Sequence, residues 1–173
     1  AVPTEGTLYD PTEPHRARFG EVDGDVTYGS TESDPIPAVV GAQLTMGGQA
    51  RTGLDSRARL DLLPEGTIVR MAPETIFTLD EFSETAETPV TKLAMLAGQV
   101  WIILNGGELD VHTLTGQATV TGSMMSVAYD PDTGDMLVTC LEGHCTLGNQ
   151  HGRVELVAGQ ASEIPGAGAA PNP

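Results

Sequence analysis

The chain has 173 residues, with 24 acidic side chains against 8 basic ones and a formal net charge of −16. That length suits one domain burying roughly two-thirds of its unfolded surface, and an aromatic content of 4% makes its core aliphatic. The charge repels phosphate backbones and anionic lipid, which excludes nucleic-acid binding, and no apolar run approaches the ~20 residues of a membrane helix.

Residues 1–18 predict an extended arm, because Pro3, Pro11 and Pro14 interrupt any helix or ladder. The arm reads as a linker or as a strand added to another subunit, with Leu8 and Tyr9 as its anchors. No basic–apolar–small leader is visible, so any export or anchoring segment is expected outside the chain.

Residues 19–164 predict a β domain. FGEVDGDVTY comes first, with Phe19, Val22 and Val26 as core candidates. PAVVGAQLTMGGQARTG holds two short runs broken by glycines. RARLDLL alternates, placing Ala58, Leu60 and Leu62 on one face and Arg57, Arg59 and Asp61 on the other. The turn Pro64-Glu65-Gly66 folds it onto TIVRM as a hairpin. TIFTLDEF follows, then the polar loop SETAETP. VTKLAMLAGQVWIIL is expected to start as helix and finish as strand, and Asn105-Gly106-Gly107 to turn it into a hairpin with ELDVHTLTG.

From Gly116 to Gln160 the chain is a ladder of short alternating runs, QATVTGS, MMSVAYD, DMLVTC, CTLG and RVELVAG, with turns at PDTG, EGH and NQHG. Residues 165–173 have the composition of a Gly/Ala/Pro linker or tail. The fold expected is all-β, a single domain of about a dozen short strands. A sandwich or irregular β-roll suits the uneven turn spacing, and a short β-helix-like solenoid is the alternative.

Cys140 and Cys145 flank four residues. If those four form a hairpin loop, the cysteines face each other at disulfide spacing and pin that one hairpin, which implies an oxidising compartment. A zinc site built on Cys140, His144, Cys145 and a distant histidine is the rival. Asp130, Asp132 and Asp135 on the PDTG turn could hold calcium through oxygen, although Leu141 stands where an EF-hand needs its closing glutamate. The plain alternative is a hairpin tip, and no other cofactor is indicated. His15, His112, His144 and His151 fall in the arm, a strand and two turns. Ser56, Ser123 and Ser126 lie in no nucleophile-elbow pattern. Trp101, among Val100, Ile102 and Ile103, reads as core or interface, with a glycan platform as the alternative.

Three blocks resemble the extracytoplasmic domain of the FecR family. They are GQARTGLDSRARLDLLPEGTIVRMAPETIFTL (Gly48–Leu79), LAGQVWIIL with LDVHTLTGQATVTGSMMSVAYD (Leu96–Asp130), and VTCLEGHCTL with VELVAGQ (Val138–Gln160). Their order and spacing carry the likeness. Gly122-Ser123 stands for the family's Gly-Thr, and Leu114-Thr115 for a pair containing proline. The resemblance implies a compact all-β domain at the cell surface, secreted or periplasmic. In well-known members such a domain belongs to a membrane-spanning regulator of a sigma factor.

The function expected is therefore non-catalytic: an interaction module making protein–protein contacts, in signal relay or as a surface scaffold. A structural subunit of a homo-oligomeric surface assembly, joined through the N-terminal arm, is the alternative. A glycan- or calcium-binding sensor is a third reading.

Overall fold

The computed structural model describes residues 14–30, 34–82, 90–121, 124–166 and 169–172. They form sixteen strands and no helix: β1 (Arg16–Asp23), β2 (Val26–Ser30), β3 (Ile36–Pro37), β4 (Gln43–Leu44), β5 (Gly48–Thr52), β6 (Arg57–Leu63), β7 (Thr67–Met71), β8 (Ile76–Phe82), β9 (Val90–Ile103), β10 (Glu108–His112), β11 (Gln117–Val120), β12 (Met124–Tyr129), β13 (Asp135–Glu142), β14 (His144–Asn149), β15 (Gly152–Val157) and β16 (Ala161–Pro165). The all-β expectation holds. The number exceeds a dozen because β3 and β4 are two-residue bridges and because FGEVDGDVTY breaks at Gly24 into β1 and β2.

The strands make one mixed, open sheet that folds over on itself. One ladder runs β4-β1-β6-β7-β9-β12-β13-β16. The other runs β3-β2-β5-β8-β9-β10-β11-β14-β15. Strand β9 belongs to both. Its first half, Thr91–Ala97, pairs with β8, and Val90–Ala94 also with β10. Its second half pairs with β7 and β12. The two ladders close on a single, mainly aliphatic core: Phe19, Leu60, Val69, Ile102 and Val138 come from one side, Phe77, Leu79, Leu93, Val111 and Leu147 from the other. Each such side chain contributes roughly 1.5–3 kcal/mol by leaving water.

The strand switches ladders at Gly98, whose φ of 96° is open to glycine and strained for other residues. A Cβ there would sit 2.5 Å from Thr75 Cα. Thr75, fully buried, fixes the corner: its hydroxyl accepts from Gln99 N at 3.1 Å and donates to Gln99 O at 3.2 Å, and its own N–H donates to Thr52 Oγ1 at 2.9 Å.

Two sequence expectations about this region are corrected. VTKLAMLAGQVWIIL is strand from Val90 to Ile103, because both edges of β9 are taken up by partners and satisfied ladders override the helix preference of Leu, Ala and Met. ELDVHTLTG does not fold back as a hairpin on QVWIIL. The second half of β9 already has β7 on one side and β12 on the other, so β10 crosses to the other ladder and pairs parallel with the first half, Glu108 opposite Val90 and His112 opposite Ala94. The turns at Pro64-Glu65-Gly66, PDTG and NQHG give the antiparallel pairs expected, β6 with β7, β12 with β13, and β14 with β15, while β10 also pairs antiparallel with β11.

Both ends of the predicted domain differ from the sequence boundaries. Strand β1 begins at Arg16, so the last three residues of the expected arm are ladder, with Ala17 buried against the core. In the tail, Asn172 N donates to Glu163 O at 2.8 Å, Ser162 Oγ donates to Asn172 O, and Asn149 Nδ2 donates to Ala169 O at 2.6 Å. Leu8, Tyr9, the SETAETP loop and Gly122-Ser123 lie outside the described residues.

Candidate interaction surface

The tripeptide Arg-Ala-Arg occurs twice, at 16–18 and at 57–59, each time followed by a large apolar residue. In strands β1 and β6 the period of two buries Ala17, Phe19, Ala58 and Leu60 and turns the arginines to the opposite face. The strands pair antiparallel, placing Arg18 opposite Asp61, Glu21 opposite Arg59 and Asp23 opposite Arg57, with a bulge at Gly20 that keeps the alternation in step. Strand β7 adds Arg70 opposite Arg59, and Trp101 of β9 stands opposite Arg70. Five of the chain's eight basic side chains thus share the outward face of three neighbouring strands, against the carboxylates Glu21, Asp23 and Asp61. Among the described residues of this face the arginines outnumber the carboxylates five to three, on a chain of net −16.

The arginines on this face are unequally engaged. Arg59 grips Asp61, Nε to Oδ1 at 2.8 Å and Nη2 to Oδ2 at 3.1 Å, and lies 3.7 Å from Glu21. The hydrogen bond to Asp61 holds the Arg59 guanidinium above its ordinary value; burial opposes it, and the nearby negative charges of Asp61 and Glu21 add to the rise. Arg70 approaches Glu21 at 3.6 Å and is half exposed. Arg18 and Arg57 are exposed and make no ion pair among the described residues. Beside Arg57 and Arg70, a cleft of about 490 Å³ is walled by Trp101, Met71, Ala72 and Pro73, with Glu21 and Asp23 also on its lining. Half-buried Ile68 and Ile103, opposite each other in register, continue the apolar strip next to Trp101.

The outward face of the other ladder is different in kind. A shallow groove of about 910 Å³ runs over β10, β11, β14 and β15, lined by His112, Gln117, Thr119, Thr146, Asn149 and Arg153 among others. His144 and His151 also border it. His112 Nε2 lies 3.1 Å from Asp80 Oδ2, and Thr119 Oγ1 donates to Asp110 Oδ1 at 2.6 Å.

Cys140 and Cys145 are disulfide-bonded, with Cα atoms 5.7 Å apart. The bridge does not pin a hairpin, as the sequence suggested. Strand β13 pairs with β12 and β16, whereas β14 pairs with β11 and β15. The chain changes ladder at Gly143, whose φ is 82°, and the bridge ties one ladder to the other across the core, where both sulfurs are fully buried. That engagement leaves neither cysteine as a zinc ligand.

Asp130, Asp132 and Asp135 stand at the β12–β13 hairpin tip. Asp130 Oδ1 accepts from Asp132 N at 2.9 Å, Asp130 O from Gly134 N at 2.7 Å, and Asp135 O from Asp130 N at 3.0 Å. Among the described residues no group of three or more His, Cys, Asp or Glu is placed to hold a metal ion. Ser56 is buried, its hydroxyl accepting from Asp25 N at 2.7 Å and donating to Leu54 O at 3.0 Å, and Ser126 is buried opposite Trp101.

One buried site escaped the sequence reading. His15, taken for an arm residue, is buried, stacked on Phe82 with ring centroids 3.7 Å apart and bonded to buried Glu65 at 2.7 Å. Glu65 Oε1 has no hydrogen-bond partner among the described residues. No local signal joins two residues 50 positions apart. The arginine face did carry a signal, the twin Arg-Ala-Arg, which acquires meaning only once β1 and β6 are known to be neighbours.

Two crystal structures of a "putative anti-sigma factor" from Parabacteroides distasonis ATCC 8503 share the fold, with TM-scores of 0.60 and 0.59 and 14% sequence identity, each covering 72% of this chain. The chain spans 57% of the length of that protein. No curated protein sequence matches it. The description "FecR protein" matches residues 48–146, from β5 through the disulfide corner into β14. That segment is more than half of the chain and includes the shared strand β9 with most of the core, and the chain belongs to the FecR family.

Proposed function

We propose that this chain is a non-catalytic FecR-like interaction module that works outside the cytoplasm and makes protein–protein contacts, in signal relay or as part of a surface scaffold. FecR membership carries this reading. The fold shared with a "putative anti-sigma factor" supports a protein partner. So do the open margins of the sheet: β3, β4 and β15 each pair on one side only among the described strands, which leaves backbone groups for an added strand. The Cys140–Cys145 bridge supports an oxidising compartment.

The test is site-specific photo-crosslinking of the exported chain in its own cells, from single positions spread over both outward faces. One recurring protein adduct, formed from adjacent positions, is expected. Adducts scattered over many proteins, or none from any position, would overturn the reading. In the same cells the two cysteines should resist alkylation until reduced, and free thiols would remove the compartment.

A further inference from the structure

The arginine–tryptophan face has a chemistry of its own within this molecule. We propose that it docks an acidic polypeptide segment of a separate partner, with carboxylates on Arg57 and Arg70 and an apolar side chain in the cleft against Trp101. This rests on the interaction-module reading and assigns that reading a surface and a ligand.

Charge supplies the first argument. Most of the chain's basic residues lie on β1, β6 and β7, so this face is the positive region of a strongly acidic molecule. Arg59 is committed to Asp61, but Arg57 and Arg18 carry no ion pair among the described residues, and Arg70 meets Glu21 only at 3.6 Å. Guanidinium groups standing beside an aromatic ring suit carboxylates, which they take in fork-to-fork geometry. The second argument is the cleft. Trp101, the only tryptophan, is half-buried on the outward face, flanked by Ile68 and Ile103, in a chain with 4% aromatics. A concave spot with an apolar wall and a charged rim, Arg57 and Arg70 beside Glu21 and Asp23, is the arrangement of an interface anchor, with Arg57 the rim cation that makes no ion pair among the described residues. Among the described residues the interleaved carboxylates Glu21, Asp23 and Asp61 offset most of the positive charge of this face, which suits a segment that mixes acidic and apolar residues better than a phosphate backbone.

Trp101 is its own reporter, because no other tryptophan contributes to emission. The probe is a tryptophan-free peptide of alternating glutamate and leucine, titrated against the whole chain, with glutamine-for-glutamate and lysine-for-glutamate peptides beside it. A saturable change in Trp101 emission with the glutamate peptide alone is expected. It should weaken as salt rises and fall in affinity about tenfold or more in the exposed double variant Arg57→Gln, Arg70→Gln, with Arg153→Gln on the far ladder unchanged. An equal response to the glutamine peptide, an undiminished response in the double variant, or the same response to a DNA oligonucleotide would overturn the proposal. A rise in mass with chain concentration, accompanied by the Trp101 change without peptide, would overturn it in favour of a second copy. Partner crosslinks confined to the other ladder, with no peptide response here, would sink this assignment and leave the interaction module standing.

Discussion

His15 Nε2 lies 2.7 Å from Glu65 Oε2, and both side chains are sealed from solvent. The contact joins the start of β1 to the β6–β7 turn, and Asn105 Nδ2 braces the same turn by donating to Glu65 O at 2.5 Å. Replacing His15 with Phe retains a ring against Phe82 but strands the Glu65 carboxyl in the interior. The expected cost is about 3 kcal/mol. Adding Glu65→Leu should recover most of it. Chemical denaturation of the two single variants and the double one gives the coupling. Purely additive effects would show that the pair contributes nothing beyond packing.

The Cys140–Cys145 bridge closes a very short loop, so the chain-entropy estimate for removing it is about 2 kcal/mol. Because the bridge spans two ladders, its loss should loosen β14 against β13 rather than fray one hairpin. Mass spectrometry without reductant should find two hydrogens fewer than the reduced chain. Amide exchange in Cys140→Ser, Cys145→Ser should quicken in both strands. Faster exchange in one strand only would contradict the cross-ladder role.

Gly98→Ala forces a side chain into a positive φ and towards Thr75 Cα. Strain of roughly 1–3 kcal/mol is expected from the backbone alone, with the steric clash added. Gly159→Ala provides the comparison, since it shares the positive φ but has nothing within 4 Å of the new Cβ. Thermal melts should rank Gly98→Ala clearly below Gly159→Ala. Equal melts would mean that the corner has no special need of glycine.

Lys92 is the sole lysine, and its ammonium is 3.2 Å from Glu81 Oε2. The hydrogen bond to Glu81, and then its charge, raise the Lys92 pKa above the ordinary 10.5. A raised value in the folded state means that the stabilisation is complete below the unfolded lysine's pKa and is lost as pH climbs through the folded one. At this partly exposed surface site the effect is screened by solvent. An NMR titration of the Lys92 side chain should give a midpoint above that of free lysine, lowered in Glu81→Gln. A midpoint unaffected by that change would refute the pairing.

How much of this was visible in the residues depends on how local the cause is. Ala58, Leu60 and Leu62 alternate with charges, and Pro64-Glu65-Gly66 closes their turn, so β6 and β7 could be read directly. Strand β9 could not. Leu93, Ala94, Met95 and Leu96 favour helix locally, and strands far away in sequence impose the extended form. The cysteines announced their proximity, whereas the change of ladder at Gly143 is a property of the sheet as a whole. The arginine face lies between these cases. Alternation says which way each arginine turns, but only register brings Arg16, Arg18, Arg57, Arg59 and Arg70 onto one plane beside Trp101.

Because β9 serves as an inner strand of both ladders, the molecule has no seam along which it could be divided. Each ladder without it would lose its central plank, and each would expose the aliphatic face that the other now covers. Such an architecture accommodates added length at its loops and margins, where closure costs little, and has no room for it along the bent strand, whose edges are paired on both sides.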